Sequence, residues 1–264
     1  MLTVNGLGVD YGPVSVLKDL SFSAKPGSFI ALLGPNGTGK SSLLKAIAGL
    51  VPARGSVSLG DGRKSARQQR ADAIAYMPQD TGATSSLTVL EVVLLGRLRS
   101  LGLQVPESLR VEAEEGLSRF GLQSLGARTL DAVSGGQRQL VYLAQAFYRN
   151  PEVLLLDEPT AALDLRHQLI VLDRVASHCR EKGTIAIAAM HDLSLAARCA
   201  DRLICLSAGE IVADGPPADT LTGSLIKDMY GVEAGVVHGA DGITHITPLR
   251  AVEGALGALS GSPQ

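Results

Sequence analysis

The sequence predicts an α/β protein: a parallel sheet wrapped by helices, with an antiparallel β lobe and an inserted helical subdomain. Three observations carry this. The runs FIALLG at 29–34, VLLLDEP at 153–159 and TIAIAAMH at 184–191 are apolar without alternation, the pattern of strands buried on both faces. Residues 1–28 and 54–77 instead mix short β-prone pieces with Gly, Asp and Pro, as in VNGLGVDYG and SVSLGDG, and read as a small antiparallel sheet that includes AIAYMPQ. Residues 86–150 show helical periodicity and lie between two of the buried strands, so they form an insertion.

Each element has a local reason. After FIALLG comes a glycine-rich loop and then KSSLLKAIAGL, where Leu43, Leu44 and Ile47 share one helical face and Gly49 supplies the stop. Thr88 and Glu91 form a capping box that opens a helix over VLEVVLLGRL. A second helix, at about 107–120, carries Leu109, Ala113, Leu117 and Phe120 on one side, and a third begins at Ser134. LICL at 203–206 reads as a further, weaker buried strand. The end of the chain, ALGALSGSPQ, is small and polar enough to be a loose tail.

Bulk properties narrow the function. With 264 residues and 45% apolar content the chain can bury a substantial core. A net charge of −2 argues against a nucleic-acid partner. No apolar run reaches the ~20 residues of a membrane span, and the first residues lack the basic-then-apolar pattern of a signal peptide. Cys179, Cys199 and Cys205 form no CxxC pair and read as reduced core thiols of a cytosolic protein.

The chemistry concentrates in a few stretches. GPNGTGKS, comprising Gly34, Pro35, Asn36, Gly37, Thr38, Gly39, Lys40 and Ser41, fits G-x-x-x-x-G-K-[ST] between a strand and a helix. Its glycines let backbone N–H groups close around phosphate oxygens, Lys40 reaches the β- and γ-phosphates, and the Ser41 hydroxyl suits Mg²⁺. The core is therefore of the P-loop NTPase (RecA-like) kind. Asp157 and Glu158 end a buried strand, where Asp157 would hold Mg²⁺ and Glu158 would polarise the attacking water. His191 ends another strand at the same edge, and its neutral imidazole would hydrogen-bond the γ-phosphate. Gln79, at the border of sheet and helical block, would touch Mg²⁺ or that water. Tyr11 precedes the phosphate strand, where its ring would stack on adenine or pack as a strand residue.

VSGGQRQ at 133–139 poses a separate problem, because it looks like a second anion site. Ser134 and Gln137 are spaced as a capping pair, and no acid follows in the first turn. An ordinary capped helix explains Ser134 and Gln137 but not Gly135 and Gly136, which cost helix stability. A second site away from the phosphate loop fits two chains, one closing this turn over the nucleotide held by the other.

In this order the motifs resemble the ATP-binding cassette (ABC) transporter ATPases over roughly residues 1–230. The resemblance runs through Tyr11, the phosphate loop with Ser42 in place of the common threonine, Gln79, the signature at 133–137, VLLLD, Glu158, ALD at 162–164 and His191. It implies a nucleotide contact for Asp164. It also implies a core of 1–85 and 151–230 carrying the β lobe, a helical subdomain at 86–150, and a short C-terminal extension at 231–264. TVLEVVLLGRLRSLG, TAALDLRHQL and YGVEAGVVHGADGITHITP are similar to importers of iron–siderophore complexes, haem and vitamin B12. The implied assembly is a homodimer with ATP and Mg²⁺, peripheral on the cytoplasmic face of the inner or plasma membrane. It would dock on a polytopic permease near Gln79 and the helical block, and be served indirectly by an extracytoplasmic binding protein. Soluble cassette ATPases of the ribosome or DNA, and exporter subunits, are the alternatives. The chain departs from the family at Val133, where leucine is usual, and at Gln145, where arginine is frequent.

Overall fold

The computed structural model describes residues 1–60, 67–79, 85–100, 105–240 and 242–252. Strands β1 (Leu2–Tyr11) and β2 (Val14–Ala24) pair antiparallel; β3 (Phe29–Leu33) leads to α1 (Lys40–Ala48), and β4 (Arg54–Leu59) returns to pair with β1. Next come α2 (Arg67–Ala73), β5 (Ile74–Met77), and the helices α3 (Val89–Leu94), α4 (Glu107–Arg119) and α5 (Gly135–Tyr148). The core resumes with β6 (Val153–Asp157), α6 (Leu165–Lys182), β7 (Ile185–Ala189), α7 (Leu193–Cys199), β8 (Arg202–Ser207) and β9 (Glu210–Gly215). The described chain ends with α8 (Pro217–Thr220), α9 (Gly223–Tyr230) and the hairpin β10 (Val232–His238) to β11 (Thr244–Ala251).

Six strands form the central sheet in the order β5-β6-β7-β3-β8-β9, with β9 the antiparallel edge. Alternate residues serve two apolar layers, as the unbroken hydrophobic runs require. Ile30, Leu32, Val153, Leu155 and Ile187 face α1 and the lobe β2-β1-β4. Phe29, Ala31, Leu33, Leu154 and Leu156 face the other way, and their layer continues without a break into Val92, Ala113, Leu117 and Leu143 of α3–α5. Val133 is buried in that layer, so its exchange for leucine is a change of shape within the core. Cys179 and Cys205 are buried too, and burial pushes both thiols up to about 12. Among the described residues no helix is long and apolar enough to cross a membrane.

Two sequence expectations need correction. Ile74–Met77 does not join the antiparallel lobe. It forms the parallel edge beside β6, pairing Tyr76 with Leu155 and Met77 with Leu156. The lobe takes Arg54–Leu59 as its third strand instead. Nothing in a four-residue apolar run distinguishes the two destinations; the partner strand does.

The helix opened by Thr88 has the expected capping box but stops at Leu94, and a 3-10 turn spans Leu95–Ser100. The cause lies on α5. Gly96 approaches so closely that a Cβ there would stand 2.7 Å from the Gln145 carbonyl oxygen. The Gln145 side-chain amide donates to the Val92 carbonyl at 2.6 Å, and Arg97 donates to the Tyr148 carbonyl at 2.6 Å while lying 4.4 Å from the centre of the Tyr148 ring. Gln145 thus holds a helix-end carbonyl that the tighter turn leaves open. The loose tail expected at 255–264, and residues 80–84 and 101–104 of the expected permease contact, lie outside the described residues.

Candidate active site

At the carboxyl ends of β3, β6 and β7 the chain forms a cleft of about 390 Å³. Val16, Asn36, Gly37, Gly39, Lys40, Ser41, Ser42, Gln79, Glu158 and His191 line it. Gly39 turns the loop into α1 at φ 96°, a backbone state that favours glycine, and α1 begins at Lys40 with no acid in its first turn. Its free N–H groups and dipole end suit an anion. The Lys40 ammonium donates to the carbonyls of Gly34 at 2.6 Å and Pro35 at 3.1 Å, and Thr38 Oγ1 donates to Pro35 at 2.9 Å. Burial lowers the Lys40 pKa, and the charges of Glu158 and Asp157 oppose that shift.

Asp157 is almost fully buried and its two oxygens are both used. Ser41 Oγ donates to Oδ1 at 2.9 Å, and the Tyr76 hydroxyl donates to Oδ2 at 3.1 Å. Hydroxyl and carboxylate oxygens are the donor set that Mg²⁺ prefers, so these residues fit the ion that the fold implies.

Glu158 follows at φ 52°, a left-handed backbone state that costs a non-glycine residue about 1–2 kcal/mol. Neighbouring groups hold it there. Its N–H donates to the Ala189 carbonyl at 3.2 Å, and its carbonyl accepts from the Gln139 amide at 2.8 Å. Gln139 also accepts from the Ala162 N–H at 3.0 Å, so one buried side chain braces both sides of this turn. The Glu158 carboxylate then meets His191 Nε2 at 2.5 Å.

Besides Gly34, Pro35, Thr38 and Asp157, whose contacts are given above, the candidates Tyr11, Asp164 and residues 134–137 are not among the residues lining the cleft. Tyr11, at the end of β1, is 47% exposed, with its hydroxyl 3.4 Å from Ser42 Oγ. Asp164 caps α6, accepting from the His167 N–H at 2.8 Å, with the His167 ring nitrogen Nδ1 at the same distance; these contacts hold its carboxyl below the ordinary range. Ser134 and Gln137 close their capping box at the start of α5, with the Gln137 N–H donating to Ser134 Oγ at 3.3 Å. None of residues 134–137 lines the cleft of its own chain.

The two signature glycines differ. A Cβ on Gly136 would stand 2.9 Å from the Ala162 carbonyl oxygen, whereas one on Gly135 would meet nothing within 4 Å. Packing against the turn before α6 therefore explains Gly136, and only Gly135 is left with open space in front of it.

Tyr76 and Gln139 escaped the reading of the sequence. Gln139 left a trace: it is a polar residue at i to Leu143 and Ala146, on the buried stripe of α5. Tyr76 left only its place three residues before Gln79.

Residues 17–161 match the sequence profile of the family described as ABC transporter. The hemin import ATP-binding protein HmuV of Thermobifida fusca is 35% identical over 254 residues, covering 95% of this chain and 89% of that one. The phosphonates import ATP-binding protein PhnC 2 of Rhodopseudomonas palustris is 37% identical over 253 residues, covering 91% and 93%. Among solved structures, an inward-facing ABC transporter described as of metal-chelate type superposes with a TM-score of 0.81 at 26% identity, over 94% of this chain and 97% of the other.

Proposed function

The chain belongs to the ABC transporter family and hydrolyses ATP, and from that premise we propose that it is the motor subunit of a membrane importer. Alignment along nearly the whole chain with proteins named for hemin and phosphonate import supports the direction of transport. Iron–siderophore complexes, haem and cobalamin are the proposed cargo classes. The phosphonate relative adds a small anion to them, since the motor does not itself select what passes.

In the proposed cycle Lys40 and the loop N–H groups take up the charge of the β- and γ-phosphates, and Tyr11 stacks on the adenine. Ser41 and Asp157 would hold Mg²⁺, with Gln79 as a further oxygen donor, and the ion would supply charge neutralisation at the phosphate oxygens. Glu158 accepts hydrogen from the attacking water, and His191 orients its carboxylate and reaches toward the γ-phosphate. The homodimer completes the site: Ser134 to Gln137 and Asp164 of a second copy close over the nucleotide. The observation behind this step is an anion-ready helix start, with Gly135 facing open space, that lies outside its own chain's cleft. Closure and reopening would move a polytopic permease docked near Gln79 and residues 86–150, on the cytoplasmic face of the membrane, with an extracytoplasmic binding protein delivering cargo.

The test is to tag the chain, isolate membranes from the native cell and identify what co-purifies in mild detergent. A polytopic membrane protein, together with ATP turnover in the complex, is the expected result. Recovery only with ribosomes or DNA would remove transport and leave the ATPase.

A further inference from the structure

The edge strand β5 carries a group that neither the motifs nor the comparisons assign. We propose that the Tyr76 hydroxyl is a positioning group for Asp157, fixing the carboxylate that receives the divalent cation accompanying the nucleotide. The proposal rests on the ATPase reading of the same site.

The geometry is specific. Parallel pairing sets Tyr76 beside Leu155, two residues before Asp157, so the phenol reaches the carboxylate from the sheet side. Ser41 reaches it from the phosphate-loop side. Each hydroxyl holds one oxygen, and Asp157 as a residue is only 2% exposed, so these two donors set the orientation of its carboxylate. Without Tyr76, one oxygen loses its donor and the carboxylate is fixed from the Ser41 side alone.

The experiment compares wild type with Y76F, which keeps the ring and removes only the hydroxyl. ADP affinity is measured in EDTA, and Mn²⁺ affinity by electron paramagnetic resonance with ADP present. Metal-free ADP binding is expected to stay within about twofold, while Mn²⁺ binds about tenfold more weakly; that ratio corresponds to ~1.4 kcal/mol and lies near the low end for a hydrogen bond to an ionised group. In a D157N background, Y76F is expected to add no further loss. Unchanged Mn²⁺ affinity in Y76F, or an equal loss in the D157N background, overturns the proposal, the latter because it marks a packing effect. Should Y76F fail to fold, Y76M goes through the same titration. A folded wild type that binds neither ADP nor Mn²⁺ would overturn the ATPase reading itself, which separates the two failures.

Discussion

Substituting the two signature glycines one at a time separates packing from function. At Gly136 an alanine methyl would stand 2.9 Å from the Ala162 carbonyl oxygen and 3.4 Å from Leu163 Cδ2, so backbone must shift. Such overpacking costs roughly 1–3 kcal/mol, against a helix-propensity gain of up to ~1 kcal/mol for alanine over glycine. The net loss for Gly136→Ala centres on about 1 kcal/mol, or roughly 2–4 °C of Tm in a chain of this size. At Gly135 the same methyl meets nothing within 4 Å, and the residue is the first of α5, so Gly135→Ala leaves Tm unchanged or slightly raised. Turnover should behave in the opposite way to stability. Gly135→Ala fills the space through which a second copy's nucleotide would approach, and ATPase activity should fall at least about tenfold, ~1.4 kcal/mol of transition-state stabilisation. Thermal unfolding and steady-state ATP turnover, measured on both variants with the partner proteins present, decide it. Wild-type turnover in Gly135→Ala at saturating ATP, or a Tm loss there equal to that of Gly136→Ala, would refute the reasoning.

Two further outcomes follow from the geometry. Gln139→Ala strips a partner from the Glu158 carbonyl and from the Ala162 N–H, so it should cost about 1–2 kcal/mol of stability. Because Glu158 is held in a left-handed state, kcat should drop further than Tm suggests while ATP affinity holds; an unchanged kcat would remove Gln139 from the site. His178 lies under the Phe147 ring at 4.6 Å with Nε2 buried and unpartnered, and burial first, then Lys182 and Arg119, lowers its pKa below the ordinary 6.5 against the pull of Glu181. The unfolded chain therefore binds the proton first, and stability falls as pH drops through about 6.5, by at most ~1.4 kcal/mol per pH unit. Tm measured from pH 7.5 to 5.5 should show this slope in wild type and a flatter one in His178→Phe; equal slopes would assign the loss to other groups.

Much of the site was legible because its signals are local. The buried run before Gly34, the glycine loop, the Thr88 and Ser134 capping boxes and the polar ends of VLLLDEP and TIAIAAMH each depend on residues within one turn or one strand of themselves. Propensity, caps and burial pattern act over that range, so the sequence by itself determined the α/β class, the phosphate loop and the strand-end placement of Asp157, Glu158 and His191. What it left undetermined depends on partners far along the chain. Tyr76 meets Asp157 across 81 residues, and Gln145 meets Val92 across 53. The destination of Ile74–Met77, the early stop of α3, the bracing of Glu158 by Gln139 and the packing reason for Gly136 share this character. A hydrogen bond or a close approach between distant segments has no periodicity to read. Only the tertiary structure decided these features, because only it brings the two halves of each contact together.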